Sequence, residues 1–344
     1  MPARDPVTDL RRIAFLLERA HESTYRVRAF RGAAAALRGR KPDELAALAD
    51  SGELRRLRGV GDVTARCVAE SLAGEEPVYL RRLESTAGTD LDDASGALRA
   101  ALRGDCHSHT DASDGGSPLE EMVETARELG HDFLVITDHS PRLTVANGLS
   151  AERLRAQIRD IAELNLTLAD SGFRVLTGIE VDILDDGGLD QEPDLLAELD
   201  VVVASVHSKL RMPAAEMTER MLTAVANPHV DVLGHCTGRM VTGSRRRPES
   251  QFDADAVFAA CAENGVAVEI NSRPERLDPP KRLLRHAVEA GCAFTIDTDA
   301  HAPGQLEWQP YGADRAAQCG ITADRIVNTW TAEQLLAWTA SHGS

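Results

Sequence analysis

Seven short β-rich runs recur between residues 101 and 297, and six of them lead directly into histidine, aspartate or glutamate. The runs are ALRGDCHSH (101–109), FLVIT (133–137), RVLTGIEVDI (174–183), VVVASV (201–206), VDVLG (230–234), VAVEI (266–270) and AFTID (293–297). Amphipathic helical stretches at 117–130, 151–170, 213–226, 253–264 and 279–291 separate them. Strands alternating with helices predict parallel β/α units. The polar endings are His107-Ser108-His109 with Asp114, then Asp138-His139, Glu180, His207, His235 and Asp299-Ala300-His301. Parallel strands of a barrel bring their C-terminal ends together around one cavity, so this series favours a seven-stranded barrel over an open sheet. Residues two apart on a strand share a face, which turns His107 with His109, and Asp299 with His301, to one side. Imidazoles mixed with carboxylates suit zinc, manganese or iron rather than calcium.

A single histidine after a strand is more often a satisfied core or loop residue, and H-x-H alone is a weak signal. Of the eleven histidines, His21, His131, His229, His286 and His342 fall in helices, turns or the tail, where solvent or local hydrogen bonding accounts for them. The remaining six sit at strand ends. The ordered set H-x-H, S-D-G, T-D-H, G-I-E, S-V-H-S, G-H and D-x-H carries the inference, rather than any one member.

With 344 residues the chain suggests about two domains. A formal charge of −17, from 38 Lys+Arg against 55 Asp+Glu, argues against a binder of nucleic acid or membrane over its whole surface, while leaving room for a local basic patch. No apolar run nears the roughly 20 residues of a membrane span, and the N-terminus meets charges too early for a signal peptide. Six cysteines without a C-x-x-C pair read as reduced thiols, so a cytoplasmic protein is expected. Residues 8–41 hold nine Lys/Arg against three Asp/Glu and show helical periodicity through Leu10, Ile13, Leu16 and Leu17. The polar stretch near 85–96 suits a linker. The expected division is a small helical domain over 1–84, a linker over 85–99 and the larger domain over 100–344.

The series D-C-H-S-H-T-D-A-S-D-G, I-T-D-H-S, G-I-E-V-D, A-S-V-H-S, L-G-H-C-T-G-R, E-I-N and D-T-D-A-H resembles the PHP (polymerase and histidinol phosphatase) superfamily over roughly residues 100–340. The resemblance implies a distorted seven-stranded β/α barrel holding three divalent metal ions (zinc, manganese or iron). It implies His107, His109, Glu180 and Asp299 around one ion, with Glu180 bridging to a second held also by His207 and His235. Asp114, His139 and His301 would hold the third. An aspartate at 114, where some members have histidine, resembles the version attached to bacterial family-X DNA polymerases.

The first domain resembles the lyase-type domain that opens those polymerases, through L-R-R-I-A-F-L-L-E, Y-R-V-R-A-F-R-G-A-A and L-R-G-V-G-D-V-T-A-R, the last a helix-hairpin-helix. There Gly59, Val60 and Gly61 would bring backbone N–H groups to a DNA phosphate at a helix N-terminus, with Arg58 and Arg66 adding charge. Two departures matter. The polymerase region that separates these parts in the family has no room within residues 85–99, which excludes nucleotide polymerisation. The Schiff-base lysine of the lyase reaction is replaced by Cys67, with no lysine between 42 and 208, which removes the basis for that chemistry.

A bridged metal pair delivers hydroxide at neutral pH and orients a phosphoryl group. The expected activity is therefore phosphate mono- or diester hydrolysis, with Glu180 and Asp299 central and Lys209, Arg239 and Arg273 available to substrate phosphate. The resemblance points to DNA ends or gapped DNA bound through the first domain, and to 3′-end processing in repair (3′–5′ exonuclease, 3′-phosphatase or abasic-site processing). Asp105 and Asp138 are expected to orient histidines, and Cys106 and Cys236 to pack as small buried groups. Two other readings stay open: a small-molecule phosphatase of the histidinol-phosphate or nucleotide type, and a non-catalytic DNA-binding adaptor.

Overall fold

A computed structural model describes residues 4–86, 92–242 and 246–342. The chain divides into two compact units, Met1–Asp90 and Leu91–Ser344. In the first unit Asp5 caps the N–H groups of Val7 and Thr8, and Pro6 opens α1 (Pro6–Arg19). Leu10, Ile13, Ala14 and Leu17 follow at helical spacing and are fully buried. α1 packs on α2 (Thr24–Leu37), where Arg31 donates two hydrogen bonds of 2.8 Å to the Glu18 carboxylate. Helices α3 (Pro42–Asp50), α4 (Asp62–Leu72) and α5 (Val78–Glu84) complete the unit, α4 and α5 also lying against α1.

The second unit opens with a helix where linker was expected. Asp92 accepts from the Ser95 N–H to cap α6 (Asp93–Ala101), and Leu98 is buried in the apolar cluster of this unit. The polar composition of this stretch reflects its cap and exposed face. Residues 87–91 of the expected linker lie outside the described residues.

Seven parallel strands then follow in chain order: β1 (Gly104–Asp105), β2 (Phe133–Ile136), β3 (Arg174–Asp182), β4 (Val201–Ser205), β5 (Val232–Leu233), β6 (Ala267–Asn271) and β7 (Phe294–Asp297). Between them run α7 (Leu119–Glu128), α8 (Ala151–Leu168), α9 (Pro193–Leu196), α10 (Ala214–Val225), α11 (Ala254–Asn264) and α12 (Lys281–Glu289). After β7 come α13 (Gln309–Gln318) and α14 (Ala332–Thr339); neither they nor α9 stand out in the sequence. Strand alternation divides the core. Phe133 and Val135 join Val201, Val203 and Val232 in one cluster, while Leu134 and Ile136 face the helices.

The ring closes without a β1–β7 ladder. One parallel bridge, Ser108 with Ala300, joins the ends. Below it the Asp297 carboxylate accepts the Cys106 N–H at 2.8 Å, and Asp105 accepts the Thr298 hydroxyl at 2.6 Å. This seam is where the barrel departs from regularity, and it carries H-x-H on one side and D-x-H on the other. The lower end is filled by Val327 and by Leu335 of α14.

Candidate metal centre

β3 spans two ladders, pairing with β2 along Arg174–Thr177 and with β4 along Gly178–Asp182. That places Glu180 in the wall of the barrel, its side chain wholly buried. Its two oxygens face different histidines. Oε1 lies 2.8 Å from His235 Nε2 and 3.2 Å from His207 Nε2. Oε2 lies 2.9 Å from His139 Nδ1, 3.3 Å from His107 Nε2 and 3.5 Å from His109 Nε2. Asp299 Oδ1 is 3.5 Å from both His109 Nε2 and His301 Nδ1. Asp114 Oδ1 is 3.3 Å from His301 Nε2 and 3.5 Å from His139 Nε2. All nine residues that the resemblance implies as ligands thus meet in one place, while Asp138 does not join them.

Their grouping differs in detail from the one the resemblance implies. Tight sets form from His109, Asp114, His139 and His301, from His107, His109 and Asp299, and from His139, Glu180 and His207. His139 faces Glu180 with one ring nitrogen and Asp114 with the other. His235 belongs to none of the three sets, although it lies closest of the histidines to Glu180.

These residues fit divalent ions. Both Glu180 oxygens and the buried His107 Nε2, His139 Nδ1 and His207 Nε2 have no hydrogen-bond partner. Buried polar atoms without partners are costly and uncommon, and this set is the N/O donor set of zinc, manganese or iron. The electrostatics agree. Burial alone would raise Glu180, yet the imidazoles of His207, His107 and His139 hold it well below the ordinary carboxylate range. Burial lowers His207, but Glu180 and Asp182 lift it to about 9. His109 is pushed well down by burial and by the neighbouring His301 and His139.

A second layer fixes the ring orientations, and it differs from expectation. His107 Nδ1 lies 2.6 Å from Glu269 Oε1, and His207 Nδ1 lies 3.4 Å from Asp182 Oδ1. Such carboxylate–histidine contacts set the tautomer and leave Nε2 for an ion. Asp105 and Asp138 make no ring contact. Asp105 holds the His107 N–H and Thr298 at the seam, and Asp138 accepts from Thr110 and Ser113 in the loop before Asp114. Their carboxylates are filled by backbone and hydroxyl donors, which sequence proximity to a histidine does not reveal. Cys106 and Cys236 are buried, as expected, and burial pushes both thiols well up.

Of the cations, Arg273 joins the cluster, donating from Nη1 to Asp299 O and His301 Nδ1, both at 3.2 Å. Arg276, which the motifs do not single out, places Nε 3.1 Å from Asp299 Oδ2, and Asn271 Nδ2 lies 3.3 Å from the same oxygen. Glu269 and Asn271, two apart at the end of β6, could have been found by the alternation that finds H-x-H. Arg239 is spent on structure, donating to the carbonyls of Arg276 and Leu277. Lys209 stays outside, exposed and 2.6 Å from Asp185.

In the first unit Gly59 has φ +98°, and a Cβ there would lie 3.1 Å from the Gly32 carbonyl, so the turn and its approach to α2 both require glycine. Val60 is buried. The Gly61 N–H is taken by Thr64 Oγ1 at 2.9 Å, which corrects its expected role. The N–H groups of Asp62, Val63 and Thr64 are those the helix end presents. Arg58 and Arg66 are exposed. Cys67 is buried, and desolvation followed by Glu70 pushes its thiol up to about 11.

The PHP domain family matches residues 105–273, and a helix-hairpin-helix domain family matches residues 1–76. A probable phosphatase of Acetivibrio thermocellus is 31% identical over 206 residues, 57% of this chain and 78% of that protein. This chain belongs to the PHP family. The DNA polymerase/3′-5′ exonuclease PolX of Bacillus subtilis is 39% identical over 227 residues, 66% of this chain but only 39% of that protein's length. The histidinol phosphate phosphatase of Lactococcus lactis, solved with zinc, L-histidinol and phosphate, aligns with a TM-score of 0.47 at 19% identity over 64% of this chain and 95% of that one. Family membership places the chain among phosphoester hydrolases. Among the described residues no helix is long and apolar enough to cross a membrane.

Proposed function

We propose that this PHP-family chain hydrolyses phosphate esters at DNA 3′ ends, using three divalent ions and a helix-hairpin-helix unit that holds the DNA backbone. The observation that carries the hydrolytic reading is Glu180, with one oxygen toward His207 and His235 and the other toward His107, His109 and His139. Glu180 with His207 and His235 would hold one ion, Glu180 with His107, His109 and Asp299 a second, and Asp114, His139 and His301 the third. When bound, such ions supply a hydroxide near neutral pH and neutralise phosphoryl oxygens. Arg273, at the edge of the cluster beside Asp299 and His301, would orient a substrate phosphate through its remaining N–H groups. Lys209 would enter only by leaving Asp185. The DNA reading rests on the helix-hairpin-helix match, on the N–H groups at the start of α4 and on exposed Arg58 and Arg66. Lyase chemistry is not part of it, because a buried thiol at position 67 cannot form a Schiff base. Nor is polymerisation, because α5 ends at Glu84 and β1 begins at Gly104.

The charge of −17 and the likeness to probable phosphatases favour a second reading, a small-molecule phosphatase. Turnover of a 3′-recessed DNA, histidinol phosphate and mononucleotides by the full chain, each with manganese and with zinc, separates the two. Faster metal-dependent release from the DNA 3′ end is the expected result. Turnover confined to the small monoesters would replace the first reading with the second.

A further inference from the structure

Asp114 differs from the other eight residues of the cluster. It stands on a loop rather than at a strand end, and its side chain is 35% exposed. Its direction must therefore come from whatever holds the loop. Part of the answer lies within the loop. The Gly115 N–H donates to Thr110 O at 2.9 Å, and a Cβ on Gly115 would lie 2.6 Å from that carbonyl, so the turn is drawn tight. The Gly116 N–H reaches His301 O at 2.7 Å.

The rest comes from α8. Arg153 donates from Nη2 to Ala112 O, and from Nη1 to Asn147 O at 2.8 Å and Gly148 O at 3.1 Å. It thereby ties the loop carrying Asp114 to the loop that follows His139. Asn147 Nδ2 adds a bond to the same Ala112 carbonyl at 3.1 Å. One turn further along α8, Gln157 Nε2 donates to Asp138 Oδ2 at 2.5 Å, and Asp138 in turn holds the Thr110 N–H, the Thr110 hydroxyl and the Ser113 hydroxyl. Residues four apart share a helix face, so one face of α8 holds the loop before Asp114, at Ala112 directly and at Thr110 and Ser113 through Asp138.

We propose that Arg153 and Gln157 are positioning residues that aim Asp114 at the His139–His301 pair, so that the third ion can be lost while the ions beside Glu180 stay. The proposal rests on the three-ion reading above. The charge of Arg153 makes the test sharp. Removing a cation near a cation site would, by Coulomb's law alone, strengthen ion binding. A positioning role predicts the opposite sign.

The experiment titrates the ion-free full chain with manganese by calorimetry and counts retained metal by elemental analysis, for the parent, Asp114→Asn, Arg153→Ala, Arg153→Lys and Gln157→Leu, with melting curves to confirm folding. Asp114→Asn should remove one ion per chain. Arg153→Ala should weaken that same site about 10- to 100-fold, the range for partners that orient a ligand, without changing the others. Arg153→Lys should fall between, since one ammonium cannot span three carbonyls. Gln157→Leu should resemble Arg153→Ala, more mildly. If Asp114→Asn removes an ion and folded Arg153→Ala binds all ions as tightly as the parent or tighter, the positioning role is wrong while the three-ion reading stands. If Asp114→Asn removes none, both fall.

Discussion

The Glu269 carboxylate lies 2.6 Å from His107 Nδ1, on the far side of the ring from Glu180. Its second oxygen accepts the His235 backbone N–H at 2.5 Å, so one buried acid serves two candidate ligands on different strands. Glu269→Gln should keep the fold and one acceptor while losing one of the two charges, after that of Glu180, that raise the basicity of His107 against its burial. Ion affinity is expected to drop about 10- to 100-fold, measured by competition with a chromogenic chelator. Unchanged affinity would show that Glu269 serves folding alone.

Glu180→Ala should nearly abolish hydrolysis in a folded protein, by about 100-fold or more, because orientation and charge neutralisation go together. The same variant should retain fewer ions after gel filtration. Activity near the parent level in a folded variant would place the chemistry elsewhere.

Reversing the charge of Arg58 and Arg66 together should weaken DNA binding at every sequence tested. With two fewer phosphates neutralised, the log–log salt dependence should flatten by about two. Hydrolysis of a small chromogenic phosphodiester should not change. A salt slope equal to that of the parent would remove this face of the hairpin from the DNA interface.

His131 supplies a pH dependence separate from the ions. Burial, then the charge of Arg99, pushes its pKa down to about 3. Between that value and the ordinary 6.5 the unfolded chain binds the extra proton and the folded one does not. Stability is therefore full above pH 6.5 and declines as pH falls, by about 1.4 kcal/mol per unit. Comparing urea midpoints at pH 7.5 and 4.5 in chelator, His131→Gln should lose less stability than the parent. Equal losses would show that His131 is not protonated on unfolding.

The strand-end rule locates eight of the nine cluster residues, and the loop after the first strand the ninth, Asp114, because alternation and parallel convergence are properties of backbone geometry, which the sequence pattern reports. His107 and His109 share a side although β1 ends at Asp105, flanking Ser108, which bridges to Ala300 across the seam. What alternation cannot convey is which ring nitrogen points where. His139 serves two sets because both nitrogens are exposed to carboxylates, and that depends on a rotamer fixed by packing. Asp138 looks like a partner of His139 in sequence, yet its carboxylate faces Thr110 and Gln157 across the barrel wall. Arg239 and Arg273 are equivalent as letters, and only the loop carbonyls that absorb one of them tell them apart. The helix at Asp93 is hidden in the sequence because alanine, glycine and serine between acids also describe a linker.

The seam between β1 and β7 has a consequence for how the barrel is kept shut. Every other neighbour pair is zipped by a backbone ladder, whereas this one has the single Ser108–Ala300 bridge and the clasp of Asp105 and Asp297. The groups just above the clasp are His107 and His109 on one edge and Asp299 and His301 on the other. An ion gripped from both edges would act as a rivet through the weakest join of the cylinder, so that taking up metal and finishing the circle become one thermodynamic event. Stripping the ions should therefore let amide hydrogens around 106–110 and 298–301 exchange first, the ring breathing at its one edge without a ladder while the other six joins stay protected.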